Sequence, residues 1–114
     1  MKALPQTELA IRAAGARVRG GFPWWLRPFL FPGVMALTLG RVIYIAPDAA
    51  DIDRHIRHEL VHVRQMSRLG LLRFLWRYMR EYLGNRWRGL DSATAYRRIS
   101  LEEEAFAAEG EESV

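Results

Sequence analysis

His58-Glu59-Leu60-Val61-His62-Val63-Arg64-Gln65 decides how this chain is read, because it sets H-E-x-x-H inside a stretch with helical periodicity. Two imidazoles four residues apart stand one turn above the other on one helical face, so both reach a single metal ion. Glu59 lies beside the first of them, is not needed as a ligand, and is free to take a proton from a metal-bound water. Working outward, Ile52, Ile56, Leu60 and Val63 recur as a core-facing stripe. Arg54, Arg57, Arg64 and Arg68 make a basic face, and His55, His58, His62 and Gln65 make a third. Asp48 or Asp51 caps the start, just past Pro47, and Gly70 is a natural stop after Leu69. The plain alternative is a solvated face with two ordinary histidines. Against it, the histidines hold the one face claimed by neither core nor arginine.

Two histidines do not make a catalytic zinc site, which uses three protein ligands and an open position. No histidine follows His62, positions 65 and 68 are Gln and Arg, and the chain has no cysteine. The third ligand is then a carboxylate or His55. Downstream, Ser100-Leu101-Glu102-Glu103-Glu104-Ala105 places three acids at the start of a predicted helix that runs to Gly110. Ser100 and Glu103 fit a capping box. The plain reading of Glu102–Glu104 is negative charge favouring a helix N-terminus.

With those residues in place, the chain resembles the minimal gluzincin-type zinc metallopeptidases, small zincin domains with an H-E-x-x-H-x-x-Q helix and a later L-E-x-E-A helix. The resemblance spans about Leu37 to Ala108 and includes Leu37-Thr38-Leu39-Gly40-Arg41-Val42-Ile43-Tyr44-Ile45, similar to the strand-turn-strand that such domains set beside the metal. It implies Zn2+ as cofactor, a peptide or protein substrate, and Glu102 as third ligand. Three consecutive glutamates leave Glu104 as the alternative. Tyr96 and His55 are the candidates for a transition-state donor or a supporting role around the metal.

At 114 residues, half of them apolar, the chain makes one domain, expected over 1–110 with an acidic tail at 111–114. Lack of cysteine excludes disulfides and thiolate zinc, and with no evident signal peptide the expected location is cytoplasmic. Residues 1–98 carry all seventeen basic groups against seven acids, a net of about +10, so polyanions and acidic membrane surfaces attract this body. Nucleic acid is the less favoured partner.

The remaining segments support a small α+β domain: a short antiparallel hairpin on three or four helices. An amphipathic helix is expected from Met1 to Arg19, capped by Thr7 and ended by Gly20-Gly21. Phe22 to Leu39 is the most apolar stretch, but its prolines and Arg27 leave no run long enough to span a bilayer as a helix. Trp24, Trp25, Phe29 and Phe31 are read as a lid over the core, with a membrane-surface contact through Trp24, Trp25 and Phe29 as the second reading. Leu71 to Leu83 has the period of a core helix, with Arg73, Arg77 and Arg80 as its wet side and an arginine-aromatic binding stripe as the minority reading. Gly84 to Gly89 reads as a loop, and Asp91 or Ser92 as the cap of a short turn bearing Tyr96. Val42, Ile43 and Tyr44 form an expected edge strand that pairs with substrate, turned at Gly40-Arg41.

Overall fold

A computed structural model of the protein describes residues 3–30 and 34–111, without the side chains of Phe29 and Glu111. Five helices and a three-stranded mixed sheet follow in the order α1 (Pro5–Ala13), β1 (Arg17–Gly20), a 3-10 turn (Arg27–Phe29), β2 (Ala36–Leu39), β3 (Val42–Ile45), α2 (Ile52–Leu69), α3 (Leu71–Trp87), α4 (Ser92–Arg97) and α5 (Ser100–Glu111). This is the α+β architecture expected, with one strand more than the hairpin and five helices in place of three or four.

The hairpin forms as read. Leu39 pairs with Val42 across Gly40-Arg41, and Gly40 takes φ +61°, a conformation a side chain would strain. The added strand is β1, which runs parallel to β3 from Arg17↔Val42 to Gly20↔Ile45. It corrects the long N-terminal helix: α1 starts with Pro5 in its first turn, ends at Ala13, and Gly15 at φ +67° turns the chain into β1. Thr7 lies buried inside α1 and does not cap it; instead the Leu4 amide donates to the Asp53 carboxylate at 2.9 Å.

The strand order β1-β3-β2 also corrects the substrate edge. Val42, Ile43 and Tyr44 stand in the central strand, hydrogen-bonded on both sides, so they offer no free backbone to a peptide. Among the described residues the free edges belong to β1 and β2.

Two core clusters fix the helices. Ile43 and Ile45 from the sheet meet Ile56, Leu60 and Val63 of α2, with Ile11, Val18 and Ile52 packed against them. Burying each of these large aliphatic groups contributes about 1.5–3 kcal/mol, which seats α2 on the sheet by its predicted stripe. Met66, Phe74, Ile99 and Leu101 form the second cluster, joining α2 to α3 and α5. Asp51 caps α2, its carboxylate accepting the Arg54 amide at 3.4 Å, and Gly70 at φ +84° both ends α2 and opens α3.

Elsewhere tertiary contacts override the local reading. The first four residues of the expected loop at Gly84–Gly89 are the last turn of α3, which ends at Trp87, because Asn85 is buried and its amide donates to the Ala95 carbonyl at 2.9 Å. Asp91 caps α4, accepting the Thr94 amide at 2.8 Å. Trp24 and Trp25 are exposed and make no lid, whereas Leu26 beside them is buried. The Phe29 side chain and Phe31 lie outside the described residues, as do residues 112–114 of the expected tail. Glu111 belongs to α5, so Gly110 does not end the helix.

Candidate metal centre

The third face of α2 turns toward α5 and α3. His58, Glu59 and His62 are all buried, with ligand atoms within 4.8 Å of one another, a group that could hold a metal ion. Glu102, in the first turn of α5 and 4% exposed, closes the space opposite them. Its Oε1 stands 2.7 Å from His58 Nε2 and 3.1 Å from His62 Nε2. Leu101 and Ala105, both buried, seat α5 so that Glu102 is held in this register. Tyr78 of α3 donates its hydroxyl to the other oxygen, Oε2, at 2.5 Å.

The outer nitrogens of both rings are committed. His58 Nδ1 is 3.0 Å from Glu109 Oε2, and His62 Nδ1 is 2.9 Å from Gln65 Oε1. Each acceptor holds the proton on Nδ1 and leaves the Nε2 lone pair facing inward. Three electron-pair donors, two imidazole nitrogens and a carboxylate oxygen, then meet with no proton assigned between them. Such a group is stable around a cation, either a metal ion or added protons. The donor set is nitrogen and oxygen without sulfur, which suits Zn2+.

The electrostatics favour positive charge there. Burial alone lowers the pKa of His58, but the hydrogen bond and charge of Glu102, with Glu59 and Glu109, reverse this and push it up to about 9. His62 is raised by the same opposition of burial to Glu102 and Glu59, with the Gln65 hydrogen bond in place of Glu109. Burial works to raise Glu102, yet its bonds to His58, His62 and Tyr78 hold it well below the carboxylate range. Burial raises Glu59, against the pull of His62 and of Thr38, whose hydroxyl donates to Glu59 Oε1 at 2.7 Å. Tyr78 and Tyr96 are both driven up, first by burial and then by the Glu102 charge, so both remain protonated donors.

Of the other predicted residues, Tyr96 borders this cluster beside Glu102, and the rest stand apart from it. Glu104 accepts from Gln65 Nε2 at 2.7 Å and is exposed, so it does not face the histidine pair. Glu103 is exposed, and the capping box with Ser100 is not made. Glu81 of α3 takes its place, accepting the Ser100 amide at 2.8 Å and the Ser100 hydroxyl at 2.9 Å. His55 is half-buried one turn upstream and outside the cluster. Tyr96 packs edge-on against Phe106, centroids 6.0 Å apart.

Four contributors escaped the sequence reading. Glu109 had a signal, standing two helical turns after Glu102 on the same face of α5; Arg54 Nε anchors it at 3.4 Å. Gln65 shares the histidine face by its spacing, which assigns it no task. Tyr78 and Thr38 carried no signal, since each reaches the site from another element. No protein-family model, curated protein or solved structure matches the chain.

Proposed function

We propose that the protein is a zinc-dependent peptidase or related amide hydrolase, with His58, His62 and Glu102 as the protein ligands. The observation that carries this reading is the convergence of two Nε2 atoms on Glu102 Oε1, with both outer nitrogens already held by acceptors. Zinc held there would polarise a scissile carbonyl and bring the pKa of water toward neutrality. Glu59 takes the proton from the attacking water and returns it to the leaving amine. Burial suits it to that exchange by raising its pKa, and Thr38 fixes the orientation of its carboxylate. Tyr96, kept protonated, supplies an O–H donor to developing negative charge. β2 is the edge strand on the Glu59 side through Thr38, and a peptide added along it as a further strand lies beside the base. The test is Glu59→Gln. Elemental analysis is expected to find zinc as in the parent while cleavage of a peptide library disappears; a variant that still cleaves sinks the mechanism.

One observation favours a second reading, a zinc-binding module without turnover. His58, Glu59, His62 and Glu102 are each no more than 7% exposed. Two surface depressions open away from these residues, one between α1 and α2 and one over Arg64, Arg68 and Glu104. Bound zinc with no cleavage of any peptide would decide for this reading.

A further inference from the structure

α3 has two apolar faces where a surface helix ordinarily has one. Phe74 and Tyr78 turn inward to the site, their rings 5.7 and 6.5 Å from that of His62, and Asn85 is buried beside α4. Leu72, Leu75, Trp76, Met79, Leu83 and Trp87 line the opposite side at helical spacing and are all exposed, Leu72 at 82%, Trp76 at 71% and Trp87 at 92%. A soluble monomer rarely leaves so continuous an apolar stripe in water.

Charge says what covers it. Helical periodicity puts Arg73 and Arg80 along one border of the stripe and Arg86 toward the other, all exposed. Glu81 is the one acid in α3, and it faces inward, bonded to Ser100 and Arg77. The outward face is therefore apolar and cationic with no acid of its own. A second copy laid on it would bring two rows of arginines together. A nucleic acid would take the arginines and leave leucine and tryptophan in water. An anionic bilayer surface satisfies both, with the apolar side chains at the acyl boundary and the guanidinium groups at the phosphates. No helix among the described residues is long and apolar enough to cross a membrane, so α3 would lie in the interfacial plane over its length of about 25 Å.

We propose that the outward face of α3, from Leu72 to Trp87, docks the protein flat on an anionic phospholipid surface, which sets the histidine site on the far side of the same helix.

The test is flotation of the full chain with vesicles of phosphatidylcholine containing roughly a third phosphatidylglycerol, beside vesicles of phosphatidylcholine alone. Binding is expected to the first and not the second, with a blue shift of tryptophan emission. Arg73→Gln and Arg80→Gln are each expected to weaken partitioning about fivefold, and Trp76→Ser roughly tenfold. These residues are exposed, so thermal melts should match the parent. Three outcomes overturn the proposal. The first is no flotation with anionic vesicles. The second is binding lost in a Trp24→Ser/Trp25→Ser variant but kept in Trp76→Ser. The third is a dimer in sedimentation that Trp76→Ser dissolves while vesicles bind nothing, which would make a second copy the occupant.

Discussion

Gln65 dictates which ring nitrogen of His62 carries the proton. Its amide nitrogen donates to the Leu101 carbonyl at 3.0 Å and to Glu104 at 2.7 Å, so the amide oxygen is left to face His62 Nδ1 at 2.9 Å. A neutral His62 is thereby protonated at Nδ1, and its lone pair sits on Nε2, toward Glu102. Gln65→Leu keeps the volume and removes this control. Metal affinity is expected to fall roughly 10–100-fold, measured by competition with a chromophoric chelator on protein that still melts cooperatively. Gln65→Glu should do worse, because it sets a second carboxylate against Glu104. Unchanged affinity in Gln65→Leu would remove the tautomer argument.

Thr38 has one hydroxyl proton and gives it to Glu59 at 2.7 Å. Burial raises the Glu59 pKa and this bond opposes the rise. Thr38→Val removes the opposing bond, so the base should ionise only at higher pH. The acid limb of the kcat/KM profile is expected to move upward, with zinc content unchanged. A limb that stays in place would separate Thr38 from the base.

Much of this arrangement was legible because it lies on single helices. The stripe of Ile56, Leu60 and Val63, the cap at Asp51 and the stop at Gly70 follow from spacing and local hydrogen bonding, and all sit where the pattern puts them. β1 was hidden because Arg17-Val18-Arg19-Gly20 has one apolar residue and pairs with a strand some twenty-five residues away. Without β1, β3 looks like an edge, and that error followed directly. Asn85 shows the opposite failure: Gly84-Asn85 reads as a helix end until the Ala95 carbonyl is brought to the amide by α4. Leu75 and Met79 share the helical period of Phe74 and Tyr78 yet are exposed, because periodicity reports an apolar face without saying what covers it.

The register of the acidic run is testable by two single variants. Glu102 faces both histidines, whereas Glu104 is held by Gln65. Glu102→Ala is expected to lose bound zinc, as it removes one of three ligands. Glu104→Ala should retain it with at most a modest loss of affinity through Gln65. Elemental analysis of the two purified proteins decides the matter, and the reverse pattern would shift the ligand by two residues.

Glu81 ties α3 to the start of α5, and hence to the position of Glu102. Its carboxylate accepts the Ser100 amide and hydroxyl and the Arg77 Nε, at 2.8, 2.9 and 3.0 Å. Burial opposes ionisation, but these bonds together outweigh it and hold the Glu81 pKa below its ordinary value. A lowered pKa in the folded state means stability that is fully present above the ordinary carboxylate range and lost as pH falls through the lowered value. Glu81→Gln should therefore cost about 1–2 kcal/mol at neutral pH. The difference from the parent should shrink in acid, where Glu81 itself is protonated. Urea unfolding of both proteins across that range measures it. A deficit equally large in acid would mean that the lost stability comes from packing, not from the charge on Glu81.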